Sequence, residues 1–532
     1  MSIETAADLV QARAGDSRPG LTFEDRVWTW ASVVEESTRR AAWMSRLPGP
    51  GHVGVLLDNT PDYVFLLAGA ALSGSVIVGL NPTRRGDELA RDIRHTDCQV
   101  VVTDRPDEVK GLALDGATVL APQDVTGDGP VAGPPSPADL FVLIFTSGST
   151  GHPKAVKVSH GRAARSATGV PFGPDDVLYS AMPLFHGNAL FSNLLPAFNS
   201  GCQVVLRRKF SASAFLDDIR RHRCTFFNTV GRAIAHLNAT PPGEHDRDHQ
   251  LKWVLGPETS EADKAAFTAR FGAPIFDGYG SSENAVILHP ARRSSQPGPL
   301  GVAPPGTDIA VVDPTSRVEC PPAQFSPSGQ LLNPDAAIGE IVGRDAAKRF
   351  EGYYNDPEAE AQRLRDGWYW SGDLAYRDED GVFYFAGRTG DWLRVDSENF
   401  TAAPIERILA RAPGVAGVAV YPVPDPRSAD RVMAAIELAP GSSFDAVSFE
   451  RFIADHPDIS SKWVPTYIRI VDHLPVTGTD KLDKKPLRAA AWRTTDDLWH
   501  RPGRAVSFIR MTPTDVSTIE AELAANGRSH LL

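Results

Sequence analysis

Cysteine is scarce in this chain: Cys98, Cys202, Cys224 and Cys320 are scattered through 532 residues without paired spacing. That excludes a disulfide framework and a cysteine-rich zinc site. Long apolar runs are missing too, and none approaches the ~20 residues needed to span a bilayer. The opening Met1-Ser2-Ile3-Glu4 has neither a basic start nor an apolar core, so no secretory leader is expected. Positive charge is in deficit, with 54 Lys and Arg against 66 Asp and Glu, a formal charge of −12. Nonspecific nucleic-acid binding needs a basic face, and this balance argues against it. Internal repeats and low-complexity segments are absent. A soluble cytoplasmic protein with no nucleic-acid partner and at most peripheral membrane contact is the expectation; the oligomeric state is open.

What is present is ordinary globular material, 42% hydrophobic and 23% charged. The length suffices for roughly three or four domain-sized units. A short helix is expected over Ile3 to Ala14, a hairpin over Leu21 to Trp30, and a helix from Ala31 to Leu47. The strand Val53 to Leu57, the helix Pro61 to Leu72, the strand Ser75 to Leu80, the helix Arg85 to Thr96 and the strand Cys98 to Thr103 follow. Pro61 is well placed at a helix start. Such alternation indicates βαβ units around a parallel sheet. Residues 121–138, rich in Pro, Gly and Asp, read as a surface connection.

The chain is organised around what comes next. Leu140 to Phe145 is a six-residue apolar run that reads as a buried strand. It feeds into Thr146-Ser147-Gly148-Ser149-Thr150-Gly151-His152-Pro153-Lys154, and Ala155 to Val158 looks like a returning strand. Small residues let backbone N–H groups converge, hydroxyls donate, and a lysine closes the loop, which suits phosphate oxygens. It is not a Walker A loop, which would run through Gly-Lys-Ser/Thr into a helix. By composition alone a Ser/Gly-rich surface hairpin fits as well. The order of residues favours the anion site, because it resembles the nucleotide loop of the adenylate-forming superfamily of acyl-CoA synthetases, luciferases and peptide-synthetase adenylation domains.

Further signatures of that superfamily follow in order. Met182-Pro183-Leu184-Phe185-His186-Gly187-Asn188 resembles its next motif; alone, His186 would be a structural loop histidine, whereas the resemblance places it at the carboxylate site. A strand at Trp253, a helix from Glu261 to Phe271 and a short strand at Pro274 to Phe276 lead into Asp277-Gly278-Tyr279-Gly280-Ser281-Ser282-Glu283. The resemblance implies that this segment holds the adenylate. Tyr279 would stack on adenine, Gly280 and Ser281 would line the same turn, the Ser282 hydroxyl would meet the α-phosphate, and Glu283 would hold Mg²⁺. Trp370-Ser371-Gly372-Asp373 matches the signature whose aspartate accepts ribose hydroxyls, and Val382 to Arg388 brings Arg388 near ribose or phosphate. Leu474 to Lys484 aligns Lys481 with the superfamily's catalytic lysine, with Asp480 where glycine is usual.

The resemblance covers about residues 20–490, and it is strongest to bacterial long-chain fatty-acid–CoA ligases of the FadD type and to fatty-acid transport proteins. It implies an α/β fold: a large N-terminal adenylation domain (1–389) of βαβ subdomains plus a β-rich subdomain, and a small mobile α+β lid (390–490). A tail (491–532) carries one helix, Thr514 to Ala525, closed by Gly527. The implied substrates are ATP with Mg²⁺, a carboxylic acid and coenzyme A. Thr146 to Gly151 and Lys154 would take the β/γ-phosphates, and Lys481 the charge developing between carboxylate and α-phosphate. Gly390 stands at the hinge. Ser397 replaces the glycine usual along the thiol's passage, so reduced thioester formation is expected at worst. Transfer of the acyl group to a carrier protein or an amine is the alternative, and a noncatalytic binder the remote one.

Overall fold

The computed structural model describes residues 2–528 apart from 147–152, 170–171, 292, 295, 297, 328–330, 389–391, 396–397, 427–429, 457–458, 460–461, 478–480, 504 and 527. The chain forms two compact units, Met1–Pro290 with Asp345–Tyr369, and Ala291–Arg344 with Trp370–Leu532.

Two large sheets build the first unit. One runs in the order Thr118–Leu120, Val100–Thr103, His52–Leu56, Val76–Gly79, Leu140–Thr146, Lys154–Ser159. Its strands are parallel except the last, which returns antiparallel to Leu140–Thr146. Val53, Val55, Val102, Leu143 and Ile144 are all buried. Continuous apolar strands of this kind are what a parallel sheet covered on both faces requires. The second sheet runs Ile275–Phe276, Trp253–Leu255, Phe226–Asn228, Val177–Ser180, Gln203–Leu206, Pro19–Phe23, Arg26–Thr29, and only the final hairpin is antiparallel. Helix Pro61–Ser73 begins on proline, is buried from Tyr63 to Ser73, and stops at Gly74 with φ 72°. A helix apolar on every side is buried on every side.

Two elements depart from expectation. The first helix contracts to Ala6–Gln11, because Thr5 and Asp8 form a capping box that fixes its start. A helical stretch across 187–200 was not expected from the sequence. It runs as Gly187–Ala189, the π-turn Leu190–Leu194, and Leu195–Ser200. Pro196 lacks an N–H and would crowd an ordinary preceding turn, and the wider turn accommodates it.

The second unit holds most of a sheet that runs Pro299–Val302, Val382–Arg388, Trp368–Arg377, Gly339–Gly343, Ile309–Val312. An α+β part follows. Its sheet runs Val415–Pro424, Asp430–Leu438, Tyr467–Val471, Asp497–His500, Ile509–Arg510, with helices Ala402–Leu409 and Ala446–Ala454 packed into its core. The helix Pro513–Ala525 ends at Asn526, a non-left-handed cap at φ −98°; Gly527 lies outside the described residues. Leu523 of this helix shares a buried cluster with Tyr421, Met433, Tyr467 and Trp492.

All four cysteines are free and buried. Burial pushes Cys98 and Cys224 up to about 12 and Cys202 and Cys320 up to about 11. No helix among the described residues is long and apolar enough to cross a membrane.

Candidate active site

The strands on either side of the loop singled out in the sequence pair antiparallel. Thr146 and Lys154 are cross-strand partners at its base. Ser147, Gly148, Ser149, Thr150 and Gly151 lie outside the described residues. Lys154 is buried, its Nζ 5.2 Å from the centre of the Tyr353 ring. Burial pulls its pKa down, assisted by the Arg363 charge and opposed by Asp356 and Glu283.

Glu283 is 6% exposed, and its Oε1 accepts from the Tyr353 hydroxyl at 2.8 Å. An uncompensated buried carboxylate would be costly; here the charge is met by the tyrosine O–H and by neighbouring cations. Arg162 and Arg363 both feel the Glu283 charge. Burial pushes Arg162 down to about 10. Its guanidinium donates to the Lys157 carbonyl at 3.0 Å and to the Ser282 carbonyl, tying the helix His160–Ala167 to the adenylate segment.

That segment is a small hairpin, Tyr279–Gly280 against Ile287–Leu288, turned by Asn284 at φ 54° and a hydrogen bond from Asn284 N to the Ser281 carbonyl. Asp277, just before it, is raised by burial, an effect its ion pair with Lys264 at 3.4 Å only partly offsets. His186 caps the helix that opens at Gly187, its Nδ1 accepting from Asn188 N at 3.4 Å. A Cβ on Gly187 would stand 3.3 Å from Ser282 Oγ, so the histidine motif and the adenylate segment are neighbours. In the first unit the structure thus gathers Lys154, Glu283 and Tyr353, and sets His186 beside Ser282.

Asp373, Arg388 and Lys481 belong to the second unit. Asp373 and Arg388 are cross-strand partners next to a register shift at Leu374/Ala375. Asp373 sits within a strand rather than a turn. Gly372, at φ 78°, donates its N–H to the buried Glu340 at 2.7 Å, and Asp373 N donates to Ser371 Oγ at 3.1 Å. Lys481 lies in a tight loop where Thr477 N donates to its carbonyl at 2.7 Å, while Val476 and Leu482 form a bridge. Gly390, Ser397 and Asp480 lie outside the described residues.

The sequence reading missed Tyr353, Arg162, Arg363 and Glu340. Tyr353 had a signal in Gly352-Tyr353-Tyr354-Asn355-Asp356-Pro357; an arginine inside a helix gives none. Among the described residues no three His, Cys, Asp or Glu side chains cluster for a metal ion. A single buried carboxylate still fits Mg²⁺, which commonly takes one or two carboxylates and completes its shell with substrate phosphates and water.

Two βα sheets carrying a lysine-closed hairpin and a buried glutamate, followed by a β-rich and an α+β part, define the class of adenylate-forming enzymes by fold. The solved structure of ATP-bound MatB from Rhodopseudomonas palustris shares it at TM-score 0.80 and 23% identity, covering 92% of this chain and 99% of that one. The chain belongs to the AMP-binding enzyme family, which matches residues 9–354, with the AMP-binding enzyme C-terminal domain matching residues 404–481. It is 45% identical to steroid-22-oyl-CoA synthetase of Rhodococcus jostii (strain RHA1) over 99% of both chains. It is 43% identical to medium/long-chain-fatty-acid–CoA ligase FadD17 of Mycobacterium tuberculosis, covering 90% of this chain and 95% of that one.

Proposed function

We propose that this chain is an ATP-dependent acid–CoA ligase acting on a large apolar carboxylic acid, a fatty acid or a steroid bearing a carboxylate side chain. The observation that carries the reading is the buried Lys154–Tyr353–Glu283 group in a member of the AMP-binding enzyme family. The activities of the two relatives support the choice of acceptor and acid.

A carboxylate is a poor electrophile, since resonance and negative charge shield its carbon. Attack of its oxygen on the α-phosphorus of ATP forms acyl-adenylate and expels pyrophosphate. The CoA thiol then attacks the acyl carbon, giving the thioester and AMP. Phosphoryl transfer is mostly positioning and charge stabilisation. Lys154, with the loop from Ser147 to Gly151, neutralises the outer phosphates. Ser282 hydrogen-bonds the α-phosphate, Tyr279 packs on adenine, and Asp277, Gly280 and Ser281 shape that pocket. Asp373 takes the ribose hydroxyls with Arg388 beside it, and His186 orients the acid. Lys481 stabilises the charge formed at the α-phosphate. Glu283 would hold Mg²⁺, which supplies Lewis-acid charge at the phosphates when bound. The aromatic rings of Phe172, Phe226 and Trp253 pack together, with the Phe226 and Trp253 centroids 4.4 Å apart, as part of the apolar core beside the second sheet.

The test is product analysis from ATP, Mg²⁺ and a panel of medium-chain, long-chain and steroid-bearing acids, with and without CoA. Acyl-CoA and AMP appearing only with CoA are expected. Pyrophosphate release with no thioester would overturn the acceptor and point to a carrier protein or amine.

A further inference from the structure

The steps above give the segment 352–357 no role of its own beyond the contacts of Tyr353, yet its backbone is pinned from two sides. Lys157 N donates to the Gly352 carbonyl at 3.1 Å and Tyr354 N to the Ala155 carbonyl at 2.8 Å, with a bridge between Val156 and Tyr353. The segment therefore adds a short pairing to strand Lys154–Ser159, the strand that begins at Lys154. Tyr353 N donates to Glu360 Oε1 at 2.8 Å, and the same oxygen pairs with Lys157 Nζ at 3.1 Å. Gly352 is at φ 88°, and a Cβ there would stand 2.1 Å from that oxygen, so only glycine allows this closure. Asp356 then caps helix Pro357–Arg363 through Ala359 N at 2.9 Å, and the helix delivers Arg363 at its last turn.

The Tyr353 side chain is fixed as firmly. Its ring lies under Lys154 Nζ, and its hydroxyl donates to Glu283 Oε1. Arg363 lies close to that hydroxyl, to Tyr369 and to Glu283. A guanidinium can only donate, so toward Arg363 the hydroxyl oxygen can only accept, and its single proton is left for Glu283. The order Arg363 to Tyr353 to Glu283 thus has one direction of donation, and a bond to a charged acceptor is among the stronger kinds.

We infer that Tyr353, beside Arg363, is a positioning residue that locks the Glu283 carboxylate by one oxygen and leaves the other to hold the Mg²⁺ that accompanies ATP. This rests on the reading of Glu283 given above. Without the hydroxyl, the carboxylate would be free to turn toward Lys154, Arg162 or Arg363, the three cations that feel its charge. Tyr353→Phe removes only the hydroxyl and keeps the ring under Lys154.

The test is calorimetric measurement of ATP affinity for the full chain across a Mg²⁺ series and in EDTA, on wild type, Tyr353→Phe and Glu283→Gln. Loss of an outer-shell partner typically lowers metal affinity about 10- to 100-fold. Tyr353→Phe is expected to shift the Mg²⁺ dependence of ATP binding by that factor, with metal-free ATP affinity unchanged; Glu283→Gln is expected to shift it at least as far. If Glu283→Gln shifts it and Tyr353→Phe does not, the positioning role is overturned while the reading of Glu283 stands. If neither shifts it, Glu283 is not the metal's partner and both fall. Should Tyr353→Phe fail to fold, Arg363→Lys decides: it keeps the charge but not the fork, and a wild-type Mg²⁺ response would overturn the relay.

Discussion

Single side chains carry the sharpest consequences. Lys481→Ala removes one electrostatic donor from the adenylation step, a change typically worth about 3 kcal/mol, or ~10²- to 10³-fold in rate. ATP affinity is expected to stay near wild type while acid-dependent pyrophosphate release falls by that factor; comparable release by the variant would remove Lys481 from the mechanism. His160 is a second case, and it bears on stability. It is fully buried against Phe141, with ring centres 4.8 Å apart, and neither ring nitrogen has a hydrogen-bond partner among the described residues. Burial pushes its pKa from 6.5 down to about 4, against the pull of Asp139 and Asp8. In the unfolded chain the ring takes up its proton near 6.5, and in the folded chain only near 4. Between those values the unfolded state binds more protons, so this contribution is fully present above about pH 6.5 and is lost as pH falls toward 4. The loss is about 2 kcal/mol by pH 5, at ~1.4 kcal/mol per unit. Urea midpoints at pH 7.5 and 5 are expected to differ less in His160→Leu than in wild type.

Elements explain both what the sequence disclosed and what it hid. The strand Leu140–Thr146 was legible because six apolar residues end in a loop of fixed chemistry, and helix Pro61–Ser73 because proline opens it and glycine ends it. The stretch 187–200 was not, since Pro196 argues against a helix that only a π-turn makes possible. Nor could local pattern give the partners of Glu283: Tyr353 is 70 residues away, brought in by pairing along Lys154–Ser159. The joint between that strand and helix His160–Ala167 is Ser159. Its Oγ accepts from Arg162 N at 3.1 Å and donates to Glu351 Oε1 at 2.6 Å, while its N–H donates to Glu351 Oε2 at 2.7 Å. Ser159→Ala is expected to cost about 1 kcal/mol for the cap, more where Glu351 loses its partner. Ser159→Thr, which keeps the hydroxyl, should stay within a few tenths in the same urea titration.

On the scale of the molecule, the last forty or so residues decide whether the second unit folds. Trp492, Leu498 and Leu523 are buried with Tyr421, Met433 and Tyr467, and Trp492 lies 5.3 Å from Tyr467 ring to ring. Deleting one such tryptophan commonly costs about 3–5 kcal/mol. A chain cut after Ala490 should therefore yield a protease-sensitive second unit; a cut chain as resistant to limited proteolysis as the full one would refute this. The four buried thiols have a consequence of another kind. With pKa values pushed to about 11 or 12, on the order of one in 10³ or fewer is thiolate at pH 8. Only the thiolate attacks, so the protein's own sulfur cannot intercept an activated acyl group meant for a diffusing acceptor. The same inertness makes an alkylating reagent a stopwatch: each cysteine labels only when the region around it opens, and the labelling rate reports how often that happens.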